Sequence, residues 1–353
     1  MKVTRRAFVA SAAAAALSPP AVRGKEGRGT LGIATTSIGI RRAQLRKRAT
    51  GGGPVLDAEA FLDLCHEFGT DGAQMDFGML TSDDAGYLRR VRESLERRGM
   101  FLEFIAGSQA IEDLDLLDRV GRTAQALGVT RVRVACLSGR RYEDFQDRKT
   151  WDAFAARWRA ALPRTEPVLR RYKVAMGIEN HKDWLTDELV DILRGIGSPH
   201  VGACVDFGNN LAFLEDPLET AEKLAPFAVT THVKDNVMVP AEKGFLLGDV
   251  AVGEGVLPLE RMVAALRRHR KDIPLVLEVI TRDALVVPYR EDRFWATRGR
   301  RDHAAVARFE SAFLKRPAAP PAKISDLGDE AALAAENANL RRSVAHARKR
   351  LGA

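Results

Sequence analysis

From residue 31 to about residue 315, short apolar runs of four to seven residues alternate with amphipathic stretches that repeat their apolar positions every three or four residues. The short runs read as strands: Leu31 to Thr36, Asp71 to Phe77, Phe101 to Ala106, Arg131 to Cys136, Lys173 to Glu179, Val201 to Asp206, Phe227 to His232 and Ile273 to Glu278. Between them the pattern predicts helices at Asp57 to Phe68, Asp83 to Arg98, Leu114 to Leu127, Trp151 to Arg171, Thr186 to Ile196, Leu218 to Leu224 and Pro258 to Arg270. The glycine-rich basic stretch Arg41 to Gly53 reads as a mobile strand-to-helix loop. Eight strand-then-helix repeats predict a closed (β/α)8 TIM barrel more readily than an open sheet. No phosphate-cradling glycine fingerprint follows the first strand, which argues against a dinucleotide-binding fold.

Past the eighth strand come an Arg/Trp-rich loop, Tyr289 to Arg301, and a helix near His303 to Leu314. The expected organisation is a leader over 1–29, a barrel over 30–316, and a Pro/Ala linker with a C-terminal helix over 317–353. In that helix Leu333, Asn337, Leu340, Val344, Ala347 and Leu351 follow the spacing of a coiled-coil seam. Such a seam suits either docking on the chain's own barrel or pairing in a homodimer or tetramer.

The 353 residues carry a formal charge of +8, but the positive charge is concentrated at the ends. Lys2, Arg5, Arg6 and Arg23 lie in residues 1–23, and Arg341, Arg342, Arg348, Lys349 and Arg350 in residues 338–353, with no acids in either stretch. Without them the body stands near −1, which argues against nucleic acid as a partner. Thr4, Arg5, Arg6, Ala7 and Phe8, followed by an alanine-rich run to Leu17, resemble a twin-arginine export signal. The expectation is passage through the twin-arginine translocase to the periplasm, without stable membrane insertion. Cys65, Cys136 and Cys204 read as small core residues rather than a disulfide framework.

Four strand-like runs end on residues of metal-ligand type: Glu179, Asp206, His232 and Glu278. The steps of 27 and 26 residues fit one strand-helix unit each, and the step of 46 fits a unit with an insertion. At the carboxyl mouth of a barrel such residues converge. Three carboxylates and an imidazole form an oxygen-rich set suited to Mn²⁺ or Mg²⁺, with Co²⁺ or Zn²⁺ as competitors.

The runs Gly177-Ile178-Glu179-Asn180-His181, Val205-Asp206-Phe207-Gly208-Asn209, His232-Val233-Lys234-Asp235, Gly253-Glu254-Gly255-Val256 and Leu277-Glu278 resemble the xylose isomerase-like barrel superfamily, in its sugar phosphate isomerase/epimerase branch. The resemblance implies a metal held by Glu179, Asp206, His232 and Glu278 and a small carbohydrate substrate. It also implies that Glu179 and Glu278 transfer protons on opposite faces of that substrate. His181, Asn180, Lys234 and Asn209 are the candidate substrate contacts; Gln74 and Asp76 could line the mouth, Trp184, Trp295 and Phe207 could wall it, and Glu254 reads as part of a tight turn. Ketose 3-epimerases carry histidine where this chain has Asn209 and arginine where it has Met238, so free ketohexoses are not the expected substrates. The superfamily's DNA-repair endonucleases need extra histidines where Asp76 and Ser108-Gln109 stand here. The expected activity is therefore isomerisation or epimerisation of a sugar or keto-sugar. The alternatives are a dehydratase or lyase acting on keto-sugars or 3-keto-glycosides, and a non-catalytic carbohydrate-binding barrel.

Overall fold

The computed structural model describes residues 31–49, 55–315 and 319–353. The expected export leader lies outside them, as does part of the linker before the last helix. Strands β1 (Leu31–Ala34), β2 (Gly72–Asp76), β3 (Phe101–Ile105), β4 (Arg131–Val134), β5 (Ala175–Glu179), β6 (Val201–Asp206) and β7 (Ala228–His232) pair in chain order, all parallel. An antiparallel hairpin follows, β8 (Asp235–Ala241) and β9 (Gly244–Val250). Next, β10 (Leu275–Leu277) pairs parallel with β1, and β11 (Leu285–Val287) joins β9. The barrel closes through Val233, just past β7. Its N–H donates to Val276 O at 2.7 Å, and its carbonyl accepts from Glu278 N at 2.9 Å.

The outer helices bury the faces that their periodicity marks. In Arg148–Tyr172 the residues Trp151, Ala155, Trp158, Leu162, Thr165 and Leu169 form the buried stripe, and Asp147 caps the first turn by accepting from Thr150 N at 2.7 Å. Pro163 and Pro167 fall on the exposed side of this helix, where their missing N–H groups leave no buried carbonyl unpaired. Helices Leu114–Leu127 and Thr186–Ile196 match the sequence pattern residue for residue. All three cysteines are buried and free. Among the described residues, no helix is long and apolar enough to cross a membrane.

Two expectations need correcting. The 46-residue step holds an antiparallel hairpin, β8 and β9, rather than a loop, and β11, which lies beyond Glu278, extends it to a three-stranded sheet. The first part of the glycine-rich stretch is a helix, Gly39–Arg48, because the C-terminal helix Asp329–Arg350 holds it in place. The buried Glu336 carboxylate accepts from Ile40 N at 2.7 Å and Arg41 N at 3.1 Å, satisfying donors at the start of that helix.

The seam residues Leu340, Val344, Ala347 and Leu351 are buried against the chain's own barrel. Arg267 donates to Leu351 O at 2.7 Å, and Arg348 pairs with Asp71 at 2.8 Å. The C-terminal helix thus lies over β1 beside helix Gly39–Arg48, and its last turn reaches helix Leu259–His269 through Arg350 and Glu260, 3.1 Å apart.

Candidate metal centre

Glu179, Asp206 and His232 are the last residues of β5, β6 and β7, and Glu278 follows β10 directly. All four are buried at the carboxyl mouth, and one donor atom from each lies within 4.8 Å of the others. Donors sharing one ion stand roughly 3–4 Å apart, given metal–ligand bonds of about 2.1 Å. His232 Nδ1 meets that spacing, at 3.3 Å from Glu179 Oε2, 3.3 Å from Glu278 Oε1 and 3.9 Å from Asp206 Oδ2.

The ring nitrogens of His232 have different tasks. Nε2 lies 2.7 Å from Gln74 Oε1, an acceptor, so Nε2 carries a proton. Burial opposes a charged ring, but the facing carboxylates outweigh it, raise the ring's pKa well above its ordinary value and favour a second proton on Nδ1 in the ion-free site; with an ion bound, Nδ1 would present its lone pair. Gln74 is fixed in turn: its Nε2 donates to Glu103 Oε2 at 3.0 Å, and Thr230 Oγ1 donates to the same oxygen at 2.6 Å. His232 Nδ1 is buried without a hydrogen-bond partner, and Asp206 Oδ2 has the Lys234 ammonium 2.8 Å away. A buried ring nitrogen without a partner, facing oxygens of three carboxylates, fits a cation there.

Each carboxylate is held by its neighbours. Asp206 Oδ1 accepts from Gly208 N at 2.9 Å and Asn209 N at 2.7 Å, which turns Oδ2 inward. Gly208 is required there, since a Cβ would come within 2.0 Å of Asn236 Oδ1. Glu179 Oε1 accepts from Asn209 Nδ2 at 2.8 Å, while its Oε2 pairs with the Arg133 guanidinium, whose Nε is 2.5 Å away. Burial opposes ionisation of Glu179, but Arg133 first and His232 next outweigh it and hold the carboxyl well below its ordinary range. Glu278 is also held well below that range; burial is overcome there by His232 and Lys234. For Asp206 burial prevails over Lys234, and its carboxyl is pushed up to about 6.

Lys234 Nζ is 2.5 Å from Glu278 Oε2, 2.8 Å from Asp206 Oδ2 and 3.4 Å from Asn209 Oδ1. Its neighbour Asp235 faces away and accepts backbone N–H groups of Asn236, Gly253, Gly255 and Leu257. Asn209 joins the cluster, as described. Asn180 lies behind it, with its amide spent on the Asp206 backbone: Oδ1 accepts from Asp206 N at 2.7 Å and Nδ2 donates to Asp206 O at 2.9 Å. His181 is half-buried, its Nδ1 has no partner, and burial lowers its pKa to about 3, so its ring is neutral. Asp76 points outward to Arg42, 2.6 Å away, and Glu254 pairs with Arg342 on the C-terminal helix at 2.6 Å. Trp184 packs edge-on against Trp151 in the interior, and Met238 is buried in β8.

Sequence reasoning missed Arg133, Lys182 and Glu103. For Arg133 and Glu103 the available signal was a charge inside a short strand, as in Arg131 to Val134 and Phe101 to Ile105; Lys182 lies in the loop after β5, where strand alternation gives no signal.

An eight-stranded parallel barrel with one imidazole and three carboxylates at its carboxyl mouth defines a TIM barrel with a candidate divalent-metal centre. The family model for the xylose isomerase-like TIM barrel matches residues 62–306. The chain belongs to that family. A 3-oxo-isoapionate decarboxylase of Pectobacterium atrosepticum is 26% identical over 226 residues, which is 63% of this chain and 78% of the relative. A D-psicose 3-epimerase structure superposes with a TM-score of 0.60 at 13% identity, over 92% of this chain and 100% of that one. A 3-keto-D-glucoside 4-epimerase from E. coli gives 0.53 at 15% identity, over 80% and 100%. A barrel protein from Mycobacterium smegmatis in complex with magnesium gives 0.53 at 16% identity, over 77% and 96%. At these identities the structural likenesses establish the fold.

Proposed function

We propose that this protein is a divalent-metal-dependent isomerase or epimerase of a sugar or keto-sugar derivative, acting by removal of a proton alpha to a carbonyl to give an enediolate. The observation that carries this reading is the convergence of His232 Nδ1, Glu179, Asp206 and Glu278 on one point, with His232 Nδ1 buried and without a hydrogen-bond partner. A Mn²⁺ or Mg²⁺ ion held by these four residues supplies Lewis acidity toward a carbonyl oxygen, and Co²⁺ or Zn²⁺ also suits the donors. The epimerases among the similar folds favour the same chemistry.

The two glutamates are not equivalent. Glu179 is tied to Arg133 and Asn209, whereas among the described residues Glu278 has only Lys234 as a side-chain hydrogen-bonding partner. Glu278 is therefore the better-placed group to take the proton, and Glu179 the weaker base. Lys234 holds Glu278 in place and stands ready to stabilise negative charge developing on the substrate. His181, neutral and unpaired at Nδ1, is available to a substrate hydroxyl. That asymmetry and the decarboxylase relative favour a second reading, in which the enediolate formed by the same proton removal expels a β-leaving group, or in which loss of carbon dioxide from a β-keto acid leaves its electron pair in the enediolate, making the protein a lyase. In both readings the substrate is met in the periplasm after export through the twin-arginine translocase, a placement supported by the paired Arg5 and Arg6 and the apolar run behind them.

The test is deuterium exchange in ²H₂O with the Mn²⁺-loaded protein and a panel of ketoses, keto-sugars and 3-keto-glycosides, followed by NMR. Metal-dependent exchange at the carbon alpha to the carbonyl is expected, with loss of exchange in Glu278→Gln at saturating metal. Absence of exchange, elimination and decarboxylation across the panel while metal is demonstrably bound would sink the enzymatic readings in favour of a binding barrel. The product separates epimer from lyase product.

A further inference from the structure

Lys182, in the loop after β5, is 5% exposed, and among the described residues its ammonium makes a single hydrogen bond, to Asn209 Oδ1 at 2.5 Å. No carboxylate pairs with it. An ammonium has three donors, so two are left free in a buried setting. The same Asn209 oxygen lies 3.4 Å from Lys234 Nζ, so two buried ammonium groups share one neutral acceptor beside the metal position.

The charges around that position make the arrangement more telling. Four carboxylates, Glu179, Asp206, Glu278 and Asp249, stand with four side-chain cations, Arg133, Lys182, Lys234 and Arg282; Asp249 pairs with Arg282 at 3.1 Å. Deeper in the barrel Glu103 and Arg131 offset each other. Asp183 turns away toward Trp184 N and Leu137 N, and its burial leaves it only partly ionised near neutral pH. The cluster is therefore close to neutral without an ion, and a divalent cation leaves it positive by one to two charges. Excess charge out of reach of water is costly, and a bound anion relieves it.

Resting on the metal-dependent reading above, we propose that the substrate is a sugar acid, and that its carboxylate is bound by Lys182 with Lys234 beside it while its carbonyl end lies at the four-residue cluster. Asn209 sets the position of that carboxylate by holding the Lys182 ammonium on one side and Glu179 Oε1 on the other. The carboxylate site is separate from the metal ligands, so it governs which carbon chain is accepted rather than whether the ion binds.

The experiment uses the Mn²⁺-loaded full chain and pairs of five- and six-carbon aldonates with the alditols that differ from them only at the carboxylate, measured by calorimetry. The wild type is expected to bind at least one aldonate tenfold or more tightly than its alditol. Lys182→Met should reduce that ratio to near one while Mn²⁺ binds at least as tightly as to the wild type, and Lys182→Arg should preserve most of it. Retained Mn²⁺ binding also reports that each variant is folded. Equal binding of acids and alditols by the wild type overturns the proposal, as does an acid preference that survives Lys182→Met, since direct chelation of the ion would then explain it. Failure of the wild type to bind Mn²⁺ would instead remove the metal reading and the charge argument with it.

Discussion

Gln74→Leu tests whether the shell behind the histidine controls the metal centre. The substitution keeps the side chain close in size but removes the oxygen that accepts from His232 Nε2 at 2.7 Å and the amide that donates to Glu103 at 3.0 Å. Glu103 Oε2 keeps Thr230 at 2.6 Å, so one donor, His232 Nε2–H, is left wholly unpaired in a buried site. A stranded buried donor costs about 1–3 kcal/mol of fold stability. The ring can escape by moving its proton to Nδ1, which removes the lone pair from the cluster. Loss of a metal-bound histidine's outer partner typically costs about 10–100-fold in metal affinity, or about 1.4–2.7 kcal/mol. The assay is Mn²⁺ titration by calorimetry or electron paramagnetic resonance, with circular dichroism to confirm folding. Thr230→Val, one bond further out, is expected to have a smaller effect in the same direction. Wild-type affinity in a folded Gln74→Leu protein would refute the claim that Gln74 sets the histidine tautomer.

Three further outcomes follow from the structure. Asp206 must be ionised to hold an ion, and with its carboxyl raised to about 6 by burial, apparent Mn²⁺ affinity should fall about tenfold per pH unit below that value; a flat profile from pH 5 to 7 contradicts this. In the metal-free protein the raised Asp206 contributes stability below its unfolded pKa that is lost as pH rises through about 6. The depressed Glu179 and Glu278 contribute stability above their ordinary range that is lost on acidification, and urea midpoints across pH report the difference. Glu336→Ala removes the acceptor for Ile40 N and Arg41 N and should cost about 1–3 kcal/mol in urea unfolding, with faster hydrogen exchange across Gly39–Arg48. Unchanged exchange there would show that the docked helix is not what orders this segment.

Much of the site was legible because each ligand stands at or just past the end of a strand-like run. In a parallel barrel that position fixes the mouth and, through one strand-helix unit per step, the order around it. Glu179, Asp206, His232 and Glu278 thus follow from spacing and residue type. The hairpin of β8 and β9 was hidden inside a single long step, and the helix Gly39–Arg48 was hidden because its stretch is rich in arginine and borders a glycine run. That helix owes its place to Glu336, almost 300 residues away in sequence, a contact that no local propensity encodes.

By itself, then, the sequence determined the barrel, the outer helices with clear amphipathic stripes, and the four candidate ligands, because strand and helix periodicities are local properties of the chain. Only the tertiary structure decided that Gln74 orients His232, that Arg133 ties Glu179 while Lys234 reaches Glu278, that Asn180 serves the Asp206 backbone, and that the C-terminal helix lies on its own barrel. Those outcomes depend on which side chains from different strands meet after the barrel closes. Stagger and closure set distances of a few ångströms between residues far apart in sequence, and hydrogen bonds and ion pairs change at that scale.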